Sequence, residues 1–133
     1  MSGHVYLRRR ERFCAAHRLV VPSYSDAQND EAFGVCKNTH GHNFDFYVTL
    51  KGIPDPVTGM IVNLKDLKRI LKDTIVDVYD HQDLNTFEEF KSVPPTIEVM
   101  SVVIWDKLAP LLEGLLYKVE VIETENNSAE YFG

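Results

Sequence analysis

Only two cysteines, Cys14 and Cys36, occur in 133 residues, too few for the disulfide framework of a small secreted domain. No run of about 18 apolar residues is present, so no helix of this chain is expected to span a bilayer. Residues Met1 to Arg12 are polar and basic and lack an apolar signal core, which makes the cytosol the expected compartment. Positive charge is not in surplus. Fourteen Lys and Arg against 20 Asp and Glu leave a net charge of −6, which argues against broad electrostatic binding to nucleic acid or an anionic membrane. An anionic substrate would need a local basic pocket. No internal repeat or low-complexity stretch occurs, which excludes solenoid and linker readings. Also missing are a glycine-rich phosphate loop, a dinucleotide fingerprint, a G-x-S-x-G elbow and a C-x-x-C pair.

What is present suits one compact domain spanning residues 1–133, with 44% hydrophobic and 26% charged residues. His4 to Phe13 reads as an extended segment. Residues Val21 to Val35 read as a long loop that can hold a short helical turn, and long loops in compact domains are often functional. From Asn43 to Leu50 the alternation is clean: Phe44, Phe46, Val48 and Leu50 face one way and Asn43, Asp45, Tyr47 and Thr49 the other. Turn chemistry at Gly52 to Gly59 precedes Met60-Ile61-Val62, which is expected to return as a short antiparallel strand. Asn63 is a candidate N-cap for a helix ending near Tyr79, with Leu64, Leu67, Leu71, Ile75 and Val78 as its apolar stripe. Thr96 caps a second helix whose stripe is Ile97, Met100, Ile104, Leu108 and Leu111, and Pro110 marks its far end. Leu116 to Thr124 is a strand with Tyr117, Val119, Val121 and Glu123 on one face, followed by a polar turn and a short end at Ala129 to Tyr131. The expected fold class is therefore α+β: an antiparallel sheet of four strands with two helices on one face. Its open edges invite pairing between subunits.

The densest chemical signal is Cys36-Lys37-Asn38-Thr39-His40-Gly41-His42. His40 and His42 stand two apart at the start of a strand, so both imidazoles fall on one side of the sheet and can converge on one ion. His17 would lie beside them if the first two strands pair. Three neutral imidazoles with one open position suit a catalytic zinc site, whereas Cys36 as a fourth ligand would close a tetrahedral structural one. Spacing alone leaves both open. Asp80-His81 sits just beyond the first long helix. A carboxylate beside an imidazole fixes its tautomer and raises its basicity, yet a solvated acid and a cation at a helix C-terminus would look the same. Glu123 is directed inward by strand parity and could accept paired N–H donors from a ligand ring, or sit as a solvated strand-end residue. Glu98 reads most simply as a helix-dipole partner. Arg8, Arg9, Arg10, Arg12, Arg18 and Lys37 are the cations available to an anionic substrate.

Taken jointly, several segments resemble the eukaryotic 6-pyruvoyltetrahydropterin synthase family along nearly the whole chain. They are Phe13 to Leu19, Cys36 to Phe44, Asp55 to Met60 with Asn63-Leu64, Asp80-His81, Thr96 and Glu98 through Asp106, and Leu116 to Asn127. The resemblance implies the tunnelling fold, in which subunits join their sheets into a barrel and two trimers stack as a hexamer. It implies zinc held by His17, His40 and His42, Cys36 in catalysis, and Asp80 with His81 completing the proton-transfer group from a neighbouring subunit. Glu123 would anchor the pterin, with Thr96 and Glu98 beside it. The implied reaction converts 7,8-dihydroneopterin triphosphate to 6-pyruvoyltetrahydropterin with elimination of triphosphate, in tetrahydrobiopterin biosynthesis. No nicotinamide is needed, because the ring gains the reducing equivalents that the side chain loses. The nearest rival is the bacterial-type 6-carboxytetrahydropterin synthase of the queuosine pathway. From another class come a structural zinc module closed by Cys36 and a pterin-binding regulator without turnover.

Overall fold

A computed structural model describes residues 2–133; Met1, the start of the polar N-terminal segment, lies outside the described residues. One five-stranded sheet forms the floor. In chain order the elements are β1 (Val5–His17), α1 (Asp26–Phe33), β2 (His40–Gly52), α2 (residues 64–79), β3 (Gln82–Asp83), α3 (Ile97–Leu108), β4 (Leu116–Thr124) and β5 (Asn127–Tyr131). The order across the sheet is β3-β1-β2-β4-β5. β1 and β2 pair antiparallel over their whole length, from Val5 opposite Gly52 to His17 opposite His40.

The α+β architecture stands, with a correction to the strand count. The fifth strand, β3, is only two residues long and pairs parallel with Ala15 and Ala16 of β1. So short a strand carries no hydrophobic period to read. Met60-Ile61-Val62 is not a strand. Asp55 ties the turn before it, accepting from the Val57 and Thr58 amides at 2.8 Å each, and Gly59 holds φ at 74°. The chain then packs Ile61 against Gly52 instead of pairing. β1 also runs on to His17, four residues beyond the expected end.

The core lies on one face of the sheet. Phe13 and Ala15 of β1, Phe44, Phe46, Val48 and Leu50 of β2, and Val119 and Val121 of β4 are buried there beneath the two long helices. α3 follows its expected stripe through Ile97, Met100, Ile104 and Leu108, but a 3-10 turn at Ala109–Leu111, which contains Pro110, leaves Leu111 exposed and buries Leu112 in its place. α2 starts at Asn63, whose side chain accepts from the Lys65 amide, and ends at Tyr79 as expected. Its buried stripe is Leu67, Leu71, Ile75 and Tyr79 rather than one ending at Val78. The cause is a π-helical turn at Lys72–Val76, which has more residues per turn and so moves the inward face one position along the chain. The long loop holds α1, capped by a reciprocal Ser25–Gln28 box.

Candidate metal centre

Register builds the centre. His17 stands opposite His40 and Ala15 opposite His42, so all three imidazoles project from the core face at one end of the β1–β2 ladder. One ligand atom from each lies within 4.8 Å of the others. His17 is fully buried. Its Nδ1–H donates to the Pro95 carbonyl at 2.8 Å, and the Nδ1–H of His40 donates to the Asn38 carbonyl at 2.7 Å. A carbonyl only accepts, so each Nδ1 carries the proton and each Nε2 keeps its lone pair. The Nε2 atoms of His17 and His42 are buried without a partner. An orphaned buried acceptor is costly unless something donates to it or it ligates a cation. Burial lowers the pKa of His17 and of His42, and neighbouring imidazoles push the same way, against the Glu123 charge at both and the Pro95 carbonyl at His17. Neutral rings are the ligand form. The donor set therefore fits a three-histidine metal site with an open position. Cys36 is not in the cluster.

Glu123 adjoins this centre, with its Oε1 3.5 Å from His42 Nε2. It also lines a cavity of about 380 Å³ together with Thr96, Glu98, Leu19, Asn127 and Ser128. Thr96, Glu98 and Glu123 are thus brought to one space. Thr96 owes its position to capping α3, where its Oγ1 accepts from the Val99 amide at 3.2 Å. Glu98 follows in the first turn.

Asp80 and His81 do face each other: His81 Nδ1 lies 2.8 Å from Asp80 Oδ2. The strand backbone clamps the pair. The Cys14 amide donates to Asp80 Oδ1 at 2.8 Å, and the His81 amide donates to the Cys14 carbonyl at 2.6 Å. That amide and the imidazole together hold the Asp80 carboxyl below its usual range, the amide having the larger effect. His81 sits at φ 60°, a left-handed conformation that few non-glycine residues adopt. Its ring is exposed and lines a second cavity with Cys14, Ala15 and Gly41. Cys36 occupies a 3-10 turn, Gly34–Lys37, where its carbonyl accepts from the Leu19 amide at 2.8 Å. It lines neither of these cavities.

Three supporting groups were not legible in the sequence. The Pro95 and Asn38 carbonyls orient the imidazoles, and no side-chain pattern marks a carbonyl. Asn85 holds the Arg18 peptide from both sides, accepting from its amide at 2.8 Å and donating to its carbonyl at 2.9 Å. An Asn in a polar turn is common, so only its position after β3 discloses this part.

Comparison with known proteins agrees with the geometry. The family model described as 6-pyruvoyl tetrahydropterin synthase matches residues 6–133. The 6-pyruvoyl tetrahydrobiopterin synthase of Dictyostelium discoideum is 42% identical over 134 residues, covering 100% of this chain and 99% of that protein. The structure of Caenorhabditis elegans 6-pyruvoyl tetrahydropterin synthase superimposes with a TM-score of 0.93 at 38% identity, covering 98% of this chain and 96% of that one. The 6-carboxy-5,6,7,8-tetrahydropterin synthase of Bacillus subtilis is 30% identical over 97 residues, covering 70% of this chain and 64% of that protein. A match across the whole fold, including every segment that supplies the imidazoles, the carboxylates and Cys36, means that this chain belongs to the 6-pyruvoyl tetrahydropterin synthase family.

Proposed function

We propose that the chain is a 6-pyruvoyl tetrahydropterin synthase of tetrahydrobiopterin biosynthesis, converting 7,8-dihydroneopterin triphosphate to 6-pyruvoyltetrahydropterin and triphosphate, with zinc held by His17, His40 and His42. The observation that carries this is the pair of buried, unpartnered Nε2 atoms on His17 and His42, set beside Glu123 in a chain of this family. When bound, zinc supplies Lewis-acid polarisation of the substrate's side-chain oxygens. Every other role falls to the protein. Glu123 accepts the paired N–H donors of the pterin ring, and Thr96 and Glu98 line the same space. Cys36, as thiolate, takes and returns carbon-bound protons, and His81, oriented by Asp80, relays them. The ring gains the electrons that the side chain loses, so the reaction is internally balanced.

Cys36 does not line the cavity that His81 lines. As the family resemblance implies, the proposal includes a neighbouring subunit that brings His81 to Cys36, in a hexamer of two stacked trimers. Two free thiols suit the cytosol. The test is product analysis after incubation with 7,8-dihydroneopterin triphosphate. Equal yields of triphosphate and 6-pyruvoyltetrahydropterin support the proposal; release of acetaldehyde, or no turnover by metal-replete protein, overturns it.

A further inference from the structure

Six cations were available to an anionic substrate, and the structure separates them. Arg9 is bonded to Glu11 at 2.9 Å and Arg12 to Asp45 at 2.6 Å. The Arg8 guanidinium lies 4.1 Å from the centroid of the Tyr47 ring. Strand parity puts Arg8, Arg10 and Arg12 on the sheet face opposite to His17. Arg18 and Lys37 remain, and both line one cavity of about 420 Å³ between the chain leaving β1 and the loop that carries α1.

This cavity adjoins the reacting groups at three points. Arg18 follows the buried ligand His17, Lys37 follows Cys36, and Asn38, also in the lining, receives the His40 Nδ1–H through its carbonyl. Arg18 is exposed and enters none of the ion pairs found among the described residues. Its peptide is clamped by Asn85, so the guanidinium projects from a fixed base. Lys37 rests on Asp30, an exposed acid of α1. An arriving polyanion would compete with that carboxylate for the ammonium. Asp26 lines the same cavity and tempers its charge.

Resting on the proposed function, we infer that the Arg18–Lys37 cavity is the polyphosphate subsite, holding the triphosphate tail while the ring lies at Glu123. In a chain of net charge −6 it sets a guanidinium and an ammonium together beside the proposed reacting groups, Asp26 and Asp30 being the carboxylates that an arriving polyanion must outcompete. A guanidinium and an ammonium on one wall suit a flexible chain of phosphates, which offers both bidentate and point-charge acceptors.

The test uses the full metal-loaded protein, with inorganic triphosphate as calorimetric probe and the triphosphate substrate in kinetics. Arg18→Gln and Lys37→Gln each raise the triphosphate Kd and the substrate KM about tenfold, the scale of one lost charge-assisted contact. Asp30→Asn lowers both by freeing Lys37. Arg10→Gln, an equal loss of charge on the far face, changes neither, and binding of unphosphorylated 7,8-dihydroneopterin and metal content hold in all four variants. A triphosphate Kd unmoved in the Arg18→Gln/Lys37→Gln double variant, or moved equally by Arg10→Gln, overturns the subsite. Arg18-dependent triphosphate binding without turnover would instead sink the proposed function and leave the subsite standing.

Discussion

At the residue scale the imidazoles are set apart by their hydrogen bonds. His17 and His40 are orientated by backbone carbonyls, while His42 has only Glu123 within ion-pair distance. Replacing His17 or His40 with Ala is expected to empty the site, because two imidazoles hold zinc far more weakly than three. Cys36→Ala is expected to keep the metal and lose turnover, since Cys36 lies outside the cluster. Metal analysis beside a rate measurement checks both, and loss of metal from Cys36→Ala would restore the structural-module reading. The pH dependence has a definite sign. Burial holds the folded-state pKa of His17 and His42 below the ordinary 6.5, so between those values the unfolded chain binds protons that the folded chain refuses. Stability of the metal-free protein should be level above pH 6.5 and decline as pH falls below it. Urea midpoints from pH 7.5 to 5.5 give the answer. A midpoint that rises on acidification contradicts neutral, buried rings.

At the element scale, α2 matters through its end rather than its length. The π turn at Lys72–Val76 makes Tyr79 the inward residue, and Asp80–His81 leave the helix directly after it. Tyr79 is buried against Phe13, Phe87 and Phe90, and its hydroxyl donates to Glu89, which Lys107 of α3 reaches at 3.4 Å. Burial, then Glu89, pushes the Tyr79 hydroxyl well above its usual range, so it stays a donor. Tyr79→Phe should cost about 1–3 kcal/mol, as for a hydrogen bond to a charged acceptor. Denaturant titration measures it, and an unchanged midpoint would show that this bond does not secure the helix end. The same segment shows what periodicity can and cannot convey. The clean alternation of Phe44 to Leu50 fixed a strand because each buried residue recurs every second position. The π turn was hidden because an extra residue in a helix leaves the apolar count intact and changes only its phase. Met60-Ile61-Val62 has strand composition, but Asp55 and Gly59 shape the turn so that no partner strand is reached.

At the scale of the whole molecule, β1 is covered by β3 at Ala15 and Ala16 and by Asp80 and His81 at Cys14, so among the described residues its edge from Val5 to Phe13 has no strand beside it, nor has the outer edge of β5. The proposal that His81 serves the Cys36 of a neighbouring subunit gives such pairing a chemical consequence. Inactive Cys36→Ala and His81→Ala chains, unfolded and refolded together in equal amounts, should regain activity in about one quarter of the shared sites, the fraction that random assortment leaves intact. A mixture as inactive as its parts would mean that each site draws Cys36 and His81 from one and the same chain. The metal cluster was legible from three histidines because strand parity and pairing suffice to converge them. The expectation of a hexamer rests on the family resemblance alone, since an open edge states that a partner is welcome and not which one.

The central claim is that three imidazoles hold an ion the reaction requires. Metal content and turnover of 7,8-dihydroneopterin triphosphate, measured on one sample before chelation, after it and after zinc is restored, test this most directly. The account predicts one ion per chain, with activity lost on stripping and regained with zinc. Undiminished turnover by fully stripped protein would contradict it.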